Sequence, residues 1–330
     1  MKWLVTGGCG FLGTALIRDL VEEDGHAVRV VDNLAVGTRE DLRSASEFTE
    51  KAAENLGEIS TGVELVEGDV RDGELALGAA NGADVIVHLA ANTGVGPSID
   101  DPRADCLTNV IGTLNYLEAA RHNKSGRFVF ASSGAPVGEV EPPIHEELAP
   151  HPASPYGASK LSGEGYCSAY NRTFGVETVA LRFGNVYGPG SGHKNSVVAK
   201  FVKRALDGEA LEVYGDGTQT RDFIYIDDLI RAVRLAAVTE GVGGETFQIA
   251  TNAETTVGEL AGKLVPILEA SGTSGVEVRR AAPLFKEVMR NYSDTSKARR
   301  MLGWRSEYKL EEGLWKTVEW FVKSEKHANF

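Results

Sequence analysis

The chain is short of the features that mark secreted, membrane-embedded or nucleic-acid-binding proteins. It has three cysteines, Cys9, Cys106 and Cys167, far apart and without a Cys-x-x-Cys pair. An odd, scattered set excludes a disulfide framework and reads as free thiols in a reducing compartment. Metal-ligand spacing is missing too. His145-Glu146-Glu147 begins like a zinc helix, but position 149 is Ala149 where a second histidine is required. A solvated acidic loop is expected there, and no metal. No apolar run approaches the roughly 18 residues of a membrane span, and no Lys/Arg run exceeds two residues. With 34 Lys+Arg against 47 Asp+Glu the formal net charge is −13. That disfavours nucleic acid and anionic membrane as partners, and leaves any phosphate to backbone amides and a few single cations. The first residues read as a strand and not as a charged-then-apolar leader, so a cytoplasmic location is expected.

What is present is an ordinary globular composition, 42% hydrophobic and 25% charged over 330 residues, enough for a sizeable core and about two domains. Short apolar runs at 3–5, 28–31, 63–66, 85–87, 128–130 and 177–181 read as strands. Helical patterns lie between most of them, at 11–23, 103–122 and 155–174. Alternating β and α with apolar strands predicts a doubly wound parallel sheet covered on both faces. After residue 183 the texture changes to GNVYGPGSGHKNS, then a helix over 197–207, then YGDGTQTRDFIYIDDL. A strand is expected at Val276-Glu277-Val278 and a core helix over Leu310–Val322. We expect a dinucleotide-binding domain at 1–182 with a return segment at about 222–250. The expected smaller α/β lobe comprises 183–221 and 251–330.

Residues 6–13 read TGGCGFLG, placing Gly7, Gly10 and Gly13 between the first strand and the first helix. Glycines there allow a tight turn and let backbone amides approach a pyrophosphate at a helix N-terminus. Asp32 closes the second strand, where a carboxylate accepts ribose hydroxyls and repels a 2′-phosphate, favouring NAD over NADP. Gly68-Asp69-Val70 and His88-Leu89-Ala90-Ala91 close the next two strands, at the same edge of the sheet.

The run SPYGASK (154–160) supplies the chemistry. Ser154 suits an N-cap and Pro155 the first helical position, which puts Tyr156 and Lys160 on one face. A nearby ammonium, or a cationic nicotinamide, lowers a phenol's pKa, so Tyr156 is a candidate general base. Upstream, ASSGAPVG (131–138) ends a strand on two hydroxyls.

TGGCGFLG, Asp32, SSGA and Tyr156-x-x-x-Lys160, in this order, resemble the extended short-chain dehydrogenase/reductase family and its nucleotide-sugar epimerase branch. RFGNVYGPG (182–190), TRDFIYIDDL (220–229) and NYSDTSKARRMLGW (291–304) extend the resemblance along the whole chain. It implies a Rossmann-type fold, bound NAD and a nucleotide sugar, most simply UDP-linked, as substrate. Ser133 is then the hydroxyl that bonds the reacting sugar oxygen, Tyr156 the base, and Lys160 the holder of the nicotinamide ribose. Gly7, Gly10, Phe11, Leu12, Gly13, Asp32, Asn33, Asp69, Val70, Leu89, Ala90 and Ala91 would line the NAD site, with Asn109 behind the lysine. Ser98, Asn185, Asn195, Val198, Tyr214, Arg221 and Arg290 would meet the nucleotide sugar. Two departures stand out: Val137 precedes Gly138 where many relatives have Tyr, and Leu284, three residues before Glu287, replaces a diphosphate-binding Arg. Arg290, Lys194 or His193 could take its place. The resemblance also implies a homodimer, the helices at 103–122 and 155–174 pairing as a four-helix bundle through residues such as Ala119, Ala158, Leu161, Tyr166 and Ala169.

The same scaffold serves several reactions. A 4,6-dehydratase needs an acid beside the catalytic hydroxyl, and a decarboxylase of this branch carries a Glu there. Here Gly134-Ala135-Pro136 follows, and the next carboxylate is Glu139. The expectation is therefore 4-epimerisation of UDP-glucose or UDP-galactose. UDP-glucuronate, whose carboxylate could meet His193, Lys194 or Arg182, comes next, with UDP-GlcNAc. The alternatives are a UDP-glucuronate decarboxylase, a 4,6-dehydratase and, more remotely, a non-catalytic NAD-binding scaffold.

Overall fold

The computed structural model describes residues 1–23, 25–283 and 288–328, the last four by backbone alone. The apolar runs become strands β1 (Lys2–Thr6), β2 (Ala27–Asp32), β3 (Thr49–Glu50), β4 (Gly62–Glu67), β5 (Val85–His88), β6 (Arg127–Ser133) and β7 (Thr178–Phe183). Between them run α1 (Phe11–Glu22), α2 (Arg39–Ala45), α3 (Gly73–Ala79), α4 (Val95–Asp100), α5 (Pro102–Cys106), α6 (Gly112–Asn123) and α7 (Pro155–Phe174). The helix expected over 103–122 is continuous from α5 to α6, but its middle turn, Leu107–Ile111, is wound as a π-helix around Asn109. β3 has only two residues and an exposed, polar sequence, so no hydrophobic pattern announced it.

The rest of the chain gives β8 (Asn185–Tyr187), α8 (Val197–Leu206), β9 (Leu211–Tyr214), β10 (Thr220–Arg221) and β11 (Phe223–Tyr225). Then come α9 (Ile226–Val238), β12 (Glu245–Ile249), β13 (Thr255–Thr256), α10 (Val257–Ala270), β14 (Val278–Ala281), α11 (Ser296–Leu302) and α12 (Leu310–Ala328). The strand expected at 276–278 thus begins at Val278, and pairs in parallel with β9.

Eight strands form one sheet in the order β12-β7-β6-β5-β1-β2-β4-β3, every pair parallel. From β1 the chain winds outward through β2 and β4, then returns to β1's other side with β5. Such a reversal opens a crevice at the carboxyl ends of the strands. Strand residues alternate between two cores. Trp3, Val5, Val28, Val30, Val85 and Val87 face α1 and α9. Leu4, Val31, Ile86, Phe128 and Phe130 face α3, α6 and α7.

A buried ion pair interrupts the second face. Arg29 and Glu64 stand in register on β2 and β4, 1% and 2% exposed. Arg29 donates to Glu64 Oε2 through Nε (3.0 Å) and Nη2 (2.8 Å), and to the carbonyls of Ala79 and Gly57. Each guanidinium nitrogen is thereby bonded, but the charge depends on its partner. Replacing Glu64 by Ala should cost about 3–5 kcal/mol, because it strands a buried guanidinium. Urea denaturation reads this directly, and an unchanged midpoint would show that water reaches Arg29.

Candidate active site

The crevice beside β1 is built by the loops that leave β1, β2 and β5. Gly7 has φ +70°, and a Cβ there would lie 2.8 Å from the Ala90 nitrogen, so the first loop touches the β5 loop through bare backbone. Gly13 lies equally close to the loop, 2.4 Å from the Gly7 oxygen to an added Cβ. Helix α1 then starts with no side-chain cap and no acidic residue in its first turn. Its first amides are left for an anion, as a pyrophosphate requires. Asp32 is buried at the end of β2, and its two oxygens accept the Cys9 N–H (2.9 Å) and the Leu34 N–H (2.8 Å). Burial raises its pKa, while these two amides hold it down. Asn33 Nδ2 donates to Asp69 at 3.4 Å, and Asp69 is forked by Arg71. Val70, Leu89, Ala90 and Ala91 line the neighbouring loops, half-buried except for buried Val70. Phe11 and Leu12, also half-buried, open α1. These groups fit a dinucleotide: a bare amide cradle, a helix start free of negative charge, and a carboxylate at the end of the adjacent strand, bonded to the Cys9 N–H of the first loop.

The reacting side chains stand at the end of β6 and the start of α7. Ser154 caps α7, its Oγ accepting the Gly157 N–H at 3.1 Å, with Pro155 in the first turn. Tyr156 is half-buried and Lys160 buried. Lys160 Nζ donates to the Ala131 carbonyl at 2.8 Å, over the Phe130 ring and 5.9 Å from the centre of the Tyr156 ring. Ser133 Oγ accepts the Ala135 N–H at 3.2 Å. Burial raises the Tyr156 pKa, a hydrogen bond with Ser133 lowers it and the charge of Asp105 raises it. Lys160, expected to lower the phenol's pKa, is not among the groups that shift it here. The ammonium is drawn to a strand carbonyl, and the lowering partner is Ser133. Burial brings Lys160 itself down to about 8, with Asp105 and Glu164 opposing and Lys194 reinforcing the drop. Behind the pair, Asn109 bonds Asn92, Asp105 and Ser159.

This chain belongs to the NAD dependent epimerase/dehydratase family. The family's profile matches residues 3–250. The chain is 36% identical over 326 residues to the UDP-glucose 4-epimerase of Mycolicibacterium smegmatis, covering 97% of this chain and 98% of that one. It is 33% identical over 351 residues to the dTDP-glucose 4,6-dehydratase of Shigella flexneri, covering 98% and 93%. Its fold is similar to the crystal structure of the Thermotoga maritima UDP-glucose 4-epimerase with UDP-glucose, with TM-score 0.86, 35% identity, and 98% and 99% of the two chains covered. The chain is thus an NAD-dependent enzyme of this family, and NAD is its cofactor.

The residues expected to meet the nucleotide sugar come from several elements. Asn185 is half-buried on β8, and Val198 is buried in α8. Lys200 donates to the Tyr214 hydroxyl at 2.9 Å, and Arg221 reaches the carbonyls of Thr220 and Val288. Asn195 is exposed, while Ser98 is fully buried with its hydroxyl on the Val95 carbonyl at 2.7 Å. Arg290 is engaged by Glu254 (2.8 and 3.0 Å) and by Glu141, so it does not stand open to a diphosphate. Leu284 and Glu287 lie outside the described residues. Of the three cations considered for a sugar carboxylate, Arg182 is locked in a buried fork with Glu164 (2.8 and 2.7 Å) and His193 pairs with Asp41 at 3.2 Å. Lys194 has no acidic partner among the described residues, and burial lowers its pKa. Nor is the 145–147 loop simply solvated: Glu146 accepts the Gln248 N–H at 2.8 Å.

His88, under the first loop, titrates far from its ordinary range. It shares a 2.8 Å hydrogen bond with Thr6 and stacks on Tyr116, Phe128 and Phe130. Burial, and then the nearby Lys160 charge, lower its pKa to about 3. Its folded value lies below the unfolded one, so its contribution is complete above about pH 6.5 and is lost as pH falls toward the folded value. Wild type should lose up to about 1.4 kcal/mol per pH unit from this group across that window. His88→Asn should remove that slope in urea titrations at stepped pH. An unchanged slope would show that the imidazole charges freely in the fold.

Proposed function

We propose that this chain is a nucleotide-sugar 4-epimerase, with UDP-glucose and UDP-galactose as its substrates. The observation that carries the reading is the loop after Ser133. Its first three residues, Gly134-Ala135-Pro136, bring no acid, and a Cβ built on Gly134 meets nothing within 4 Å. The carboxylates further along are exposed or held elsewhere, Glu141 by Arg290 and Glu146 by the Gln248 backbone. Elimination of a C6 hydroxyl needs a proton donor beside the sugar, and this loop offers none, which favours epimerisation over the dehydration named for some relatives.

When bound, NAD supplies a reversible hydride acceptor and a positive charge near the phenol. The rest falls to this chain. Tyr156 accepts the proton of the sugar 4-hydroxyl and later gives it back. Ser133 holds the sugar oxygen, and Lys160 holds the nicotinamide ribose. Asn185, Asn195, Val198, Tyr214 and Arg221 anchor the nucleotide while the 4-keto sugar turns over, so that both faces are presented in one binding event. In this reading residues 1–182 and 222–250 serve NAD, while 183–221 and 251–330 serve the sugar nucleotide. UDP-glucuronate is the second substrate reading, supported by Lys194, whose ammonium has no acidic partner among the described residues. The free thiols Cys9, Cys106 and Cys167 support a reducing, cytoplasmic setting.

Incubating the protein with a panel of UDP- and dTDP-sugars, read by mass and sugar NMR, should show inversion at C4 with mass conserved. Loss of water or carbon dioxide would instead identify a dehydratase or decarboxylase. Tyr156→Phe should lower turnover at least about 100-fold with NAD still bound. Near-normal turnover would sink the assignment.

The surface supports a homodimer. Val95, Ile99, Leu107, Ile111, Tyr166 and Phe174 are exposed on α4, the π-turn and α7, as are Ala158 and Ala169. Ala119, expected there, is instead buried against the sheet, and Leu161 is half-buried. We propose that this apolar stripe pairs with its copy as a four-helix bundle. Light scattering at micromolar concentration should give twice the chain mass, and a monomer would refute it.

A further inference from the structure

A buried carboxylate that the steps above do not use stands behind Tyr156 and Lys160. Asp105, in α5, is 1% exposed. Its Oδ1 accepts the Asn109 Nδ2–H at 2.9 Å across one turn. Asn109 in turn grips the Asn92 backbone in both directions, at 2.8 and 2.9 Å, and reaches Ser159 Oγ at 3.2 Å. Ser159 precedes Lys160. The π-turn between Asp105 and α6 aims Asn109 inward, the kind of widened turn that recurs at functional sites.

The charges around Lys160 are few. From α7 come Tyr156 and Glu164, from β5 His88, from the segment before α8 Lys194, and from α5 Asp105. Glu164 is closed into its fork with Arg182 and bonded by Ser132 at 2.5 Å. His88 is held neutral at ordinary pH. Lys194 has the same sign as Lys160. Asp105 is the remaining negative charge, and it forms no direct ion pair with a cation among the described residues. Lys160 spends one of its three N–H donors on Ala131.

We propose that Asp105 is a positioning residue of this site, the counter-charge that keeps the buried Lys160 ammonium protonated and, through Asn109 and Ser159, ties it to the start of α7. A buried ammonium without compensation loses its proton, and a neutral lysine holds a ribose diol less firmly. The inference rests on the roles given above to Tyr156 and Lys160. It makes a distinctive demand. Asp105 raises the pKa of both Lys160 and Tyr156, so removing its charge lowers both. The whole pH–rate bell slides toward acid, whereas loss of packing lowers the bell where it stands.

The test uses the full-length holoenzyme with Asp105→Asn and Asp105→Glu. D105N should move both limbs of the kcat profile down by about one pH unit, with kcat falling more than KM rises, and D105E should restore the wild-type position. Independently of turnover, the 13Cε resonance of Lys160, assigned with K160R, should titrate at lower pH in D105N. A D105N enzyme with unmoved limbs and an unmoved Lys160 titration overturns the proposal, however slow it is. So does a wild-type Lys160 that titrates below pH 7, a measurement that needs no Asp105 variant. If Tyr156→Phe stays active while D105N still shifts Lys160, the assigned reaction fails and the role of Asp105 stands.

Discussion

Where β1 stands between β2 and β5, the sheet reverses its direction of winding, and the rest of the molecule is arranged around that constraint. The reversal leaves a crevice that the helices cannot cover. Three strand ends open into it from one edge. Backbone contact between the Gly7 and Ala90 loops is possible only because no side chain intervenes. The amides at the start of α1 and the Asp32 carboxylate follow from the same geometry, since both are fixed at the ends of adjacent strands.

The second element of the site depends on register within β6. Successive residues do different things: the Ala131 carbonyl accepts Lys160, the Ser132 hydroxyl bonds Glu164, and Ser133 meets Tyr156. Ser132 and Ser133 lie opposite Arg182 and Phe183 of β7, so the Glu164–Arg182 fork locks α7 to both strands at once. A lysine and a tyrosine four residues apart are thereby held against the strand that carries their hydroxyl partner. The energetic price is a cluster of buried charge, and the site manages it by pairing, by a neutral histidine and by one acid behind the lysine.

Much of this was legible in the sequence because local physics decided it. Apolar runs with turn residues at their ends gave six of the eight sheet strands, and Ser154-Pro155 fixed the start of α7. The glycine loop, Asp32 and the Tyr156/Lys160 spacing are also local patterns. What could not be read is tertiary. Nothing near Arg182 in sequence shows that Glu164 occupies it, or that Glu254 and Glu141 occupy Arg290. Asp105 belongs to no motif of the sequence. Its meaning needs the π-turn, and the helical pattern over 103–122 carries no sign of a widened turn. Ala119, expected on an exposed face, is buried with the α6 residues that pack on the sheet. β3 was invisible because its side chains are exposed.

The open space at Gly134 has a consequence for how this scaffold could be diversified. The sheet, the cofactor cradle and the Tyr156/Lys160 pair are locked by packing and ion pairs, and a change in any of them disturbs several partners. Gly134 lies one residue beyond that framework, with no atom within 4 Å of where a Cβ would stand. The missing acid is thus a matter of chemistry and not of room. In engineering terms position 134 is a replaceable fitting on a fixed chassis. A functional group can be added there without refolding what lies behind it.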